Sequence, residues 1–264
     1  MKINRRNFLE IAGATFAIGL TGKYALKLFG SENLAENLTS TKRYAMIVNL
    51  QKCQNYSELN NGCNKCILAC NKIHNIPQFN NQKEEIKWIW KEEFKHAFIE
   101  QENHYLDPEI QAKPVLLLCN HCDNPPCTKV CPTQATWKRE DGIVMMDWHR
   151  CIGCRYCMAA CPYGSRSFNW KEPRDPGNPR KYINDLHDQF PTRTRGVVEK
   201  CTFCEERLAK NQLPACVEVC PANALIFGDI NDPKNKQMRD ILEKYFTIRR
   251  KPELGTKPEV HYLI

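Results

Sequence analysis

The chain has 264 residues, a formal net charge of +8 and sixteen cysteines. That length accommodates one sizeable domain or two small ones. The sequence has no run of 18 or more apolar residues, so we expect no transmembrane helix. It also has no basic stripe interleaved with stacking aromatic residues, so the positive charge indicates no nucleic-acid partner. Cysteine usage is well above the ordinary level but below the density of a small disulfide scaffold.

The N-terminal residues 1–35 have the layout of an export signal. Arg5 and Arg6 precede Phe8 and Leu9, and a short apolar stretch continues to Leu20. A charged region followed by a short apolar one is typical of such signals, and the paired arginines resemble a twin-arginine signal. An ordinary surface helix and an uncleaved anchor are the alternatives. Because the twin-arginine route moves folded proteins, we expect a cofactor to be inserted before export to the periplasm.

Short β-rich runs lead into each cysteine group along the rest of the chain. They are "YAMIVNL" before Cys53, "PVLLLC" ending at Cys119, "GIVMMDW" before Cys151 and "GVVEKC" ending at Cys201. The segment "KWIWKEEFKHAFIE" predicts a strand followed by a loop or helix, and "TQATW" and "ANALIFGD" predict turns into short strands. Residues 171–195 are rich in Pro, Asp, Arg and Gly, which predicts an irregular insertion.

Four groups of four cysteines account for all sixteen. They are Cys53, Cys63, Cys66 and Cys70; Cys119, Cys122, Cys127 and Cys131; Cys151, Cys154, Cys157 and Cys161; and Cys201, Cys204, Cys216 and Cys220. The spacings are C-x9-C-x2-C-x3-C, C-x2-C-x4-C-x3-C-P, C-x2-C-x2-C-x3-C-P and C-x2-C-x11-C-x3-C-P. One chemical unit is therefore used four times.

This spacing suits iron–sulfur chemistry. A cubane cluster has four irons that each take one thiolate, and a C-x2-C-x2-C loop can reach three of them. The next three residues begin a helix that carries the fourth cysteine away from the loop. In two-cluster ferredoxins that cysteine binds the neighbouring cluster. Zinc and disulfides are the alternatives, but neither requires four complete groups with Cys-Pro ends. The sequence therefore predicts four [4Fe–4S] clusters that use all sixteen cysteines.

Strand, cluster loop, short helix and return strand together make half of a bacterial ferredoxin. Four such halves predict an α+β fold of two ferredoxin-like modules with insertions and irregular loops. No nucleophile–base pair, phosphate-binding loop or other cofactor fingerprint is visible in the sequence. We therefore expect a protein that carries electrons and has no catalytic site of its own.

Single polar residues near the cysteines are less informative. His121 lies between Cys119 and Cys122, but sixteen cysteines already supply four clusters, so we expect no histidine ligand. The other histidines are scattered and are assigned to surface or structural positions: His74, His96, His104, His149, His187 and His261. Basic residues beside cysteines either lie on a solvated face or tune the cluster potential through their charge. They are Lys52, Arg150, Arg155, Lys200 and Arg207.

The order of the motifs and the wide gap in the fourth resemble a known family. This family comprises the four-cluster ferredoxin-type subunits of bacterial membrane oxidoreductases. It includes the electron-transfer subunits of the dimethyl sulfoxide, polysulfide and formate-dependent nitrite reductase systems. Within it, "CPYGSRSFNW", "PTRTRGVVEKCTFCEERL" and "RRKPELGTKPEV" are most similar to the exported iron–sulfur subunit of the Dsr membrane complex, which is linked to dissimilatory sulfite reductase.

The resemblance implies that motif one pairs with motif four, and motif two with motif three. The implied ligand sets are Cys53, Cys63, Cys66 and Cys220; Cys119, Cys122, Cys127 and Cys161; Cys151, Cys154, Cys157 and Cys131; and Cys201, Cys204, Cys216 and Cys70. Motif one departs from the family because nine residues, "QNYSELNNG", follow its first cysteine where two are usual. That departure puts Cys53 in doubt as a ligand.

The same pairing sets the predicted domain organisation. Residues 36–264 form the four-cluster domain. Its outer module combines 43–80 with 196–230, its inner module is 113–170, and 231–264 form a C-terminal docking tail.

The resemblance also implies partners. It predicts an NrfD-like integral membrane subunit that handles menaquinone, a position on the periplasmic face of the membrane and a periplasmic multihaem cytochrome c. The alternative is an electron-transfer subunit of a molybdopterin reductase that acts on polysulfide, thiosulfate or tetrathionate, or of a formate-dependent nitrite reductase system. A zinc-stabilised structural module that holds partners together is a third, redox-inert alternative.

Overall fold

The computed structural model describes residues 42–101, 103–174, 182–183 and 186–264. The predicted signal region, residues 1–35, lies outside the described residues. Among those described, the longest helix has ten residues, and none is long and apolar enough to cross a membrane. Short helices alternate with short strands, which confirms the predicted α+β class.

The elements are brief because a cysteine loop or a proline interrupts the chain every few residues. The strands are β1 (Tyr44–Asn49), β2 (Ile89–Glu93), β3 (Pro114–Leu118), β4 (Thr136–Lys138), β5 (Val144–Met146), β6 (Ser167–Phe168), β7 (Val198–Glu199), β8 (Leu225–Asp229), β9 (Thr247–Ile248) and β10 (Val260–Leu263). The helices are α1 (Leu50–Leu59), α2 (Lys65–Ile73), α3 (Phe94–Ala97), α4 (Pro108–Ala112), α5 (Pro126–Lys129), α6 (Tyr156–Ala159), α7 (Glu205–Leu208), α8 (Ala215–Glu218) and α9 (Lys236–Lys244).

Strand β1 lies inside a four-stranded sheet with the order β8–β1–β10–β9. It pairs antiparallel with β8 and parallel with β10. Because side chains alternate along a strand, Met46 and Val48 pack into the main apolar core, while Ala45 and Ile47 pack with Met238 of α9. Burial on both faces fixes the end of β1, where the chain enters the first cysteine group.

The C-terminal residues 231–264 are built into this sheet. The sequence assigned them to a docking tail, but β10 lies between β1 and β9, and Val260 and Tyr262 are both 0 % exposed. The segment is therefore a structural part of the domain. The docking role that the sequence suggested for it stays a prediction.

Three antiparallel strand pairs lie outside the four-stranded sheet in the described part of the chain: β2 with β3, β4 with β5, and β6 with β7. The strand runs expected before the four cysteine groups are confirmed as β1, β3, β5 and β7. The segment after residue 87 is also confirmed as a strand, β2, followed by a short helix, α3. The described residues of the 171–195 insertion contain no helix or strand.

Candidate metal centres

One cavity is lined by four cysteines, which we call the Cys53 set: Cys53, Cys63, Cys66 and Cys220. Its other lining residues carry no carboxylate or imidazole, and Lys91 donates a hydrogen bond to the Cys63 carbonyl at its edge. Burial, together with the neighbouring Cys53, Cys220 and Cys63 thiols, raises the pKa of Cys66 to about 12. These thiols give up their protons when a metal binds, because the metal takes the thiolate form.

The nine residues after Cys53 do not carry it away from this cavity. They continue α1 to Leu59, and a turn with φ of 52° at Asn61 and 104° at Gly62 then reverses the chain. Glycine and asparagine tolerate this left-handed region best. The turn returns Cys63 to the cavity that already holds Cys53. The long spacing is therefore an extended helix and a turn, and it is compatible with Cys53 as a ligand.

A second cavity is lined by the Cys119 set: Cys119, Cys122, Cys127 and Cys161. Its fourth member comes from the third motif. Helix α6 carries the chain from Cys157 to Cys161, so that Cys161 faces the second motif. Burial, and then the Cys119 thiol, raises the pKa of Cys161, with Cys127 a further neighbour.

The Cys201 set joins the fourth motif to the last cysteine of the first: Cys201, Cys204, Cys216 and Cys70. Helix α2, which carries Cys70, packs against α8, which carries Cys216. Burial, followed by the thiols of Cys204, Cys201 and Cys216, raises the pKa of Cys70. Consecutive left-handed residues, Phe203 at φ 56° and Cys204 at φ 52°, curl the loop around this set.

The Cys151 set comprises Cys151, Cys154, Cys157 and Cys131, and Cys157 is its one buried member. Cys131 and Cys151 pack on a small apolar cluster that contains Cys157. Gly153 has a φ of 71°, and an added Cβ would lie 2.2 Å from the Gly196 carbonyl oxygen, so the loop has no room for a side chain there. Partial burial opposes ionisation of Cys131, but hydrogen bonds from its neighbours, led by Thr133, lower its pKa overall.

The four sets form a row. The thiol of Cys66 in the Cys53 set interacts with that of Cys216 in the Cys201 set. Cys201 in turn interacts with Cys119, and Cys127 of the Cys119 set interacts with Cys157. The order along the row is therefore the Cys53 set, the Cys201 set, the Cys119 set and the Cys151 set.

The sulfur spacing favours a cubane over a single zinc ion. Zinc–sulfur bonds of about 2.3 Å in a tetrahedron place the sulfurs about 3.8 Å apart. Within the described residues, the one trio of candidate ligand atoms mutually within 4.8 Å is His74, Cys204 and Glu206. No three sulfurs of one set therefore lie mutually within 4.8 Å, as expected for ligands on separate iron corners of a cubane. All four donor sets consist of thiols, which fits iron–sulfur clusters.

The sequence assigned His74 to a surface or structural position and left two alternatives for Lys200. Both side chains are buried beside the thiols. His74 Nδ1 lies 3.4 Å from Cys70 Sγ, and its Nε2 is 3.0 Å from Glu206 Oε1. Lys200 is fully buried, so the solvated-face alternative is wrong for it, and its ammonium donates to the carbonyls of Val144 and Cys201. Burial lowers the pKa of Lys200, while the Cys119 thiol acts in the opposite direction.

The structure gives the remaining candidates no ligand role. His121 is buried and stacks on Phe203 with ring centroids 3.7 Å apart, and its Nδ1 accepts from the Val144 amide at 3.0 Å. Burial, with Lys200 nearby, lowers the pKa of His121 well below its usual range, so the ring is neutral. Lys52 and Arg150 are exposed, as the solvated-face alternative predicted.

Sequence comparisons identify the same chemistry. Models described as a 4Fe-4S dicluster domain match residues 113–174 and 150–224. The Hdr-like menaquinol oxidoreductase iron-sulfur subunit 1 of Archaeoglobus fulgidus is 39% identical, over 98% of this chain and 97% of its own. The iron-sulfur cluster-binding subunit of the menaquinone reductase of Nitratidesulfovibrio vulgaris is 36% identical, over 84% of this chain and 88% of its own. A tetrathionate reductase subunit of Salmonella typhimurium is 36% identical, over 100% of this chain and 89% of its own.

These similarities extend over 84–100% of this chain, well beyond the cysteine motifs. The chain therefore belongs to the family of ferredoxin-type, 4Fe–4S-binding iron–sulfur subunits of oxidoreductases that the motif order indicated.

Proposed function

We propose that this chain holds four [4Fe–4S] clusters and conducts electrons along the row of cysteine sets. The observation that carries the proposal is the continuity of the row, in which each set has a thiol neighbour in the next. Each cluster supplies a one-electron carrier when it is bound. The protein holds the carriers in sequence and keeps water away from the middle of the row.

The ends of the row suit electron entry and exit. Cys53 and Cys63 at one end, and Cys151 and Cys154 at the other, are partly exposed. A partner that docks at either end can thus approach a cluster closely without the chain opening.

We further propose that one end serves an NrfD-like, menaquinone-handling membrane subunit and the other a periplasmic multihaem cytochrome c. The names of two relatives, from a menaquinol oxidoreductase and a menaquinone reductase, support the quinone side. The "CPYGSRSFNW" and "RRKPELGTKPEV" segments support assignment to the Dsr complex, and the Arg5–Arg6 pair supports a periplasmic location by the twin-arginine route. An electron-transfer subunit of a molybdopterin reductase is the second candidate, supported by the similarity to the tetrathionate reductase of Salmonella typhimurium.

Purification of the native complex under anaerobic conditions tests the proposal. A protein with four cubanes contains about sixteen irons and as many sulfides, and a menaquinol analogue should reduce them in the membrane-bound complex. A membrane subunit and a multihaem cytochrome among the co-purifying proteins would support the first candidate. A large molybdopterin subunit would support the second, and about eight irons with all cysteines intact would reject four clusters.

The location has its own test. Replacing Arg5 and Arg6 with Lys keeps the charge but removes the paired arginines that the twin-arginine route requires. We expect a folded, cluster-loaded protein that stays in the cytoplasm, measured by cell fractionation. Normal periplasmic delivery of this variant would contradict the twin-arginine assignment.

A further inference from the structure

Two buried cations lie among the cysteine sets without a carboxylate partner. Arg166 is 4% exposed and Lys200 is 0% exposed, and in the described part of the chain no carboxylate lies within ion-pair distance of either. Burial of an unpaired charge is costly. The contrast is Arg193, equally buried, whose guanidinium lies 2.7 Å from Glu199 Oε2. The anion that balances Arg166 and Lys200 must therefore come from another source.

Arg166 is directed at a sulfur ligand. Its Nη2 donates to Cys127 Sγ at 2.9 Å and to Thr136 Oγ1 at 2.9 Å. The side chain lines the same cavity as the Cys119 set. Because a guanidinium stays charged in proteins, it places a permanent positive charge and a hydrogen bond at this set.

Lys200 lies beside the same set. Its ammonium donates to the Cys201 carbonyl at 2.7 Å and to the carbonyl of Val144, which lines the cavity of the Cys119 set. The thiols of Cys119, Cys201 and Cys127 lie near its ammonium. Both cations therefore lie beside the Cys119 set, where the row meets its neighbours.

We propose that Arg166 and Lys200 give the cluster of the Cys119 set the highest reduction potential in the row. The inference rests on the four-cluster function proposed above. A thiolate-ligated cluster is anionic, and reduction makes it more negative by one electron, received from a neighbouring cluster with no bond made or broken. Buried cations and hydrogen bonds to sulfur stabilise that added charge, whereas burial alone disfavours it.

Each neighbouring set has only one of the two cations beside it. Arg166 also lies beside the Cys157 thiol of the Cys151 set. The Cys201 set shares Lys200 but also has the Glu206 carboxylate beside its thiols, which opposes reduction. Lys52 and Arg150 precede Cys53 and Cys151 as Lys200 precedes Cys201, but they are exposed, so water and salt screen their charge. The electron should therefore rest at the Cys119 set before it leaves the row.

Redox titration of the holoprotein, followed by electron paramagnetic resonance, tests this inference. The variants are Arg166→Met and Lys200→Met, the charge-keeping Arg166→Lys and Lys200→Arg, and the exposed control Lys52→Met. The signal of the Cys119 set is identified as the one altered in Cys161→Ser. We expect it to have the highest midpoint potential in the wild type. Each methionine variant should lower the equilibrium constant for reducing it at least tenfold, which is about 59 mV for one electron.

The charge-keeping variants should shift the midpoint potential less than half as far, and Lys52→Met should leave every midpoint potential unchanged. If Arg166→Met does not bind its clusters, Lys200→Met provides the test. Two outcomes in a protein that binds four clusters would overturn this inference alone. Either Lys200→Met leaves the midpoint potential of the Cys119 set unshifted, or that potential is not the highest in the wild type. Fewer than four clusters in the wild type would instead overturn the proposed function.

Discussion

The two middle sets of the row differ from the two end sets in burial. Seven of the eight cysteines in the Cys201 and Cys119 sets are buried, with Cys161 the partly exposed one, whereas only Cys66 and Cys157 are buried in the end sets. Burial raises the pKa of a thiol, so the middle sets depend more on a bound metal to keep their sulfurs ionised. The difference indicates that the middle of the row is part of the folding core, while the ends are exchange points.

Packing supports that division. Cys70, Cys119, Cys201 and Cys216 belong to the main apolar core. At the ends, Cys66 of the Cys53 set also belongs to this core, whereas the Cys151 set packs on a small separate cluster. Loss of a middle cluster would expose unpaired, desolvated sulfurs inside the main core, whereas loss of the cluster of the Cys151 set would leave most of that core intact.

The largest expected effect comes from a matched pair of ligand variants. Cys204 and Cys154 are each the second cysteine of a C-x2-C pair, but Cys204 is 4% exposed and Cys154 is partly exposed. We expect Cys204→Ser to abolish soluble, cluster-loaded protein. Cys154→Ser should leave a folded protein with about twelve to sixteen irons. Equal yield and equal iron content of the two variants would contradict the division into middle and end sets.

A smaller effect is expected from the ion pair that supports the middle of the row. Arg193 and Glu199 are both buried, and Arg193 also donates to the carbonyls of His74 and Asn75. Removing one partner of a buried pair typically costs about 3–5 kcal/mol. We therefore expect Arg193→Met to lower the free energy of unfolding of the holoprotein by about that amount, measured by anaerobic denaturant titration.

Two controls sharpen this test. Arg150→Met at the exposed end should change the free energy of unfolding by less than about 0.5 kcal/mol. The double variant Arg193→Met with Glu199→Gln should recover part of the loss, because no unpaired charge remains buried. A loss below about 1 kcal/mol in Arg193→Met would show that the middle does not depend on this pair.

Local sequence pattern predicted the parts of the fold that depend on neighbouring residues. The strands before each cysteine group follow from their apolar, β-branched composition, and the grouping of the cysteines follows from the chemistry of a cubane. Contacts between distant segments could not be predicted in this way. The parallel pairing of β1 with β10 joins the two ends of the described chain, and nothing in the local pattern around Val260 indicates it.

The candidate site shows the same limit. Lys200 beside Cys201 has the same local sequence context as Lys52 beside Cys53, yet one is fully buried and the other exposed. His74 likewise reaches Glu206 across 132 positions of sequence. Burial is set by what packs over a residue from elsewhere in the chain. The charges that act on the clusters were therefore visible only in three dimensions.

The smallest expected effect concerns Cys161, which links an end set to a middle set. Cys161 belongs to the motif of the exposed Cys151 set but lines the cavity of the Cys119 set. Cys161→Ser should therefore change the electron paramagnetic resonance signal of a middle cluster, while Cys151→Ser should change that of an end cluster. Stepwise reduction of the two variants distinguishes the signals, since the middle and end clusters differ in exposure and in nearby charge. If both substitutions altered the same single signal, motif three would keep all four of its own ligands. Helix α6 would then not link the exposed end of the row to its buried middle.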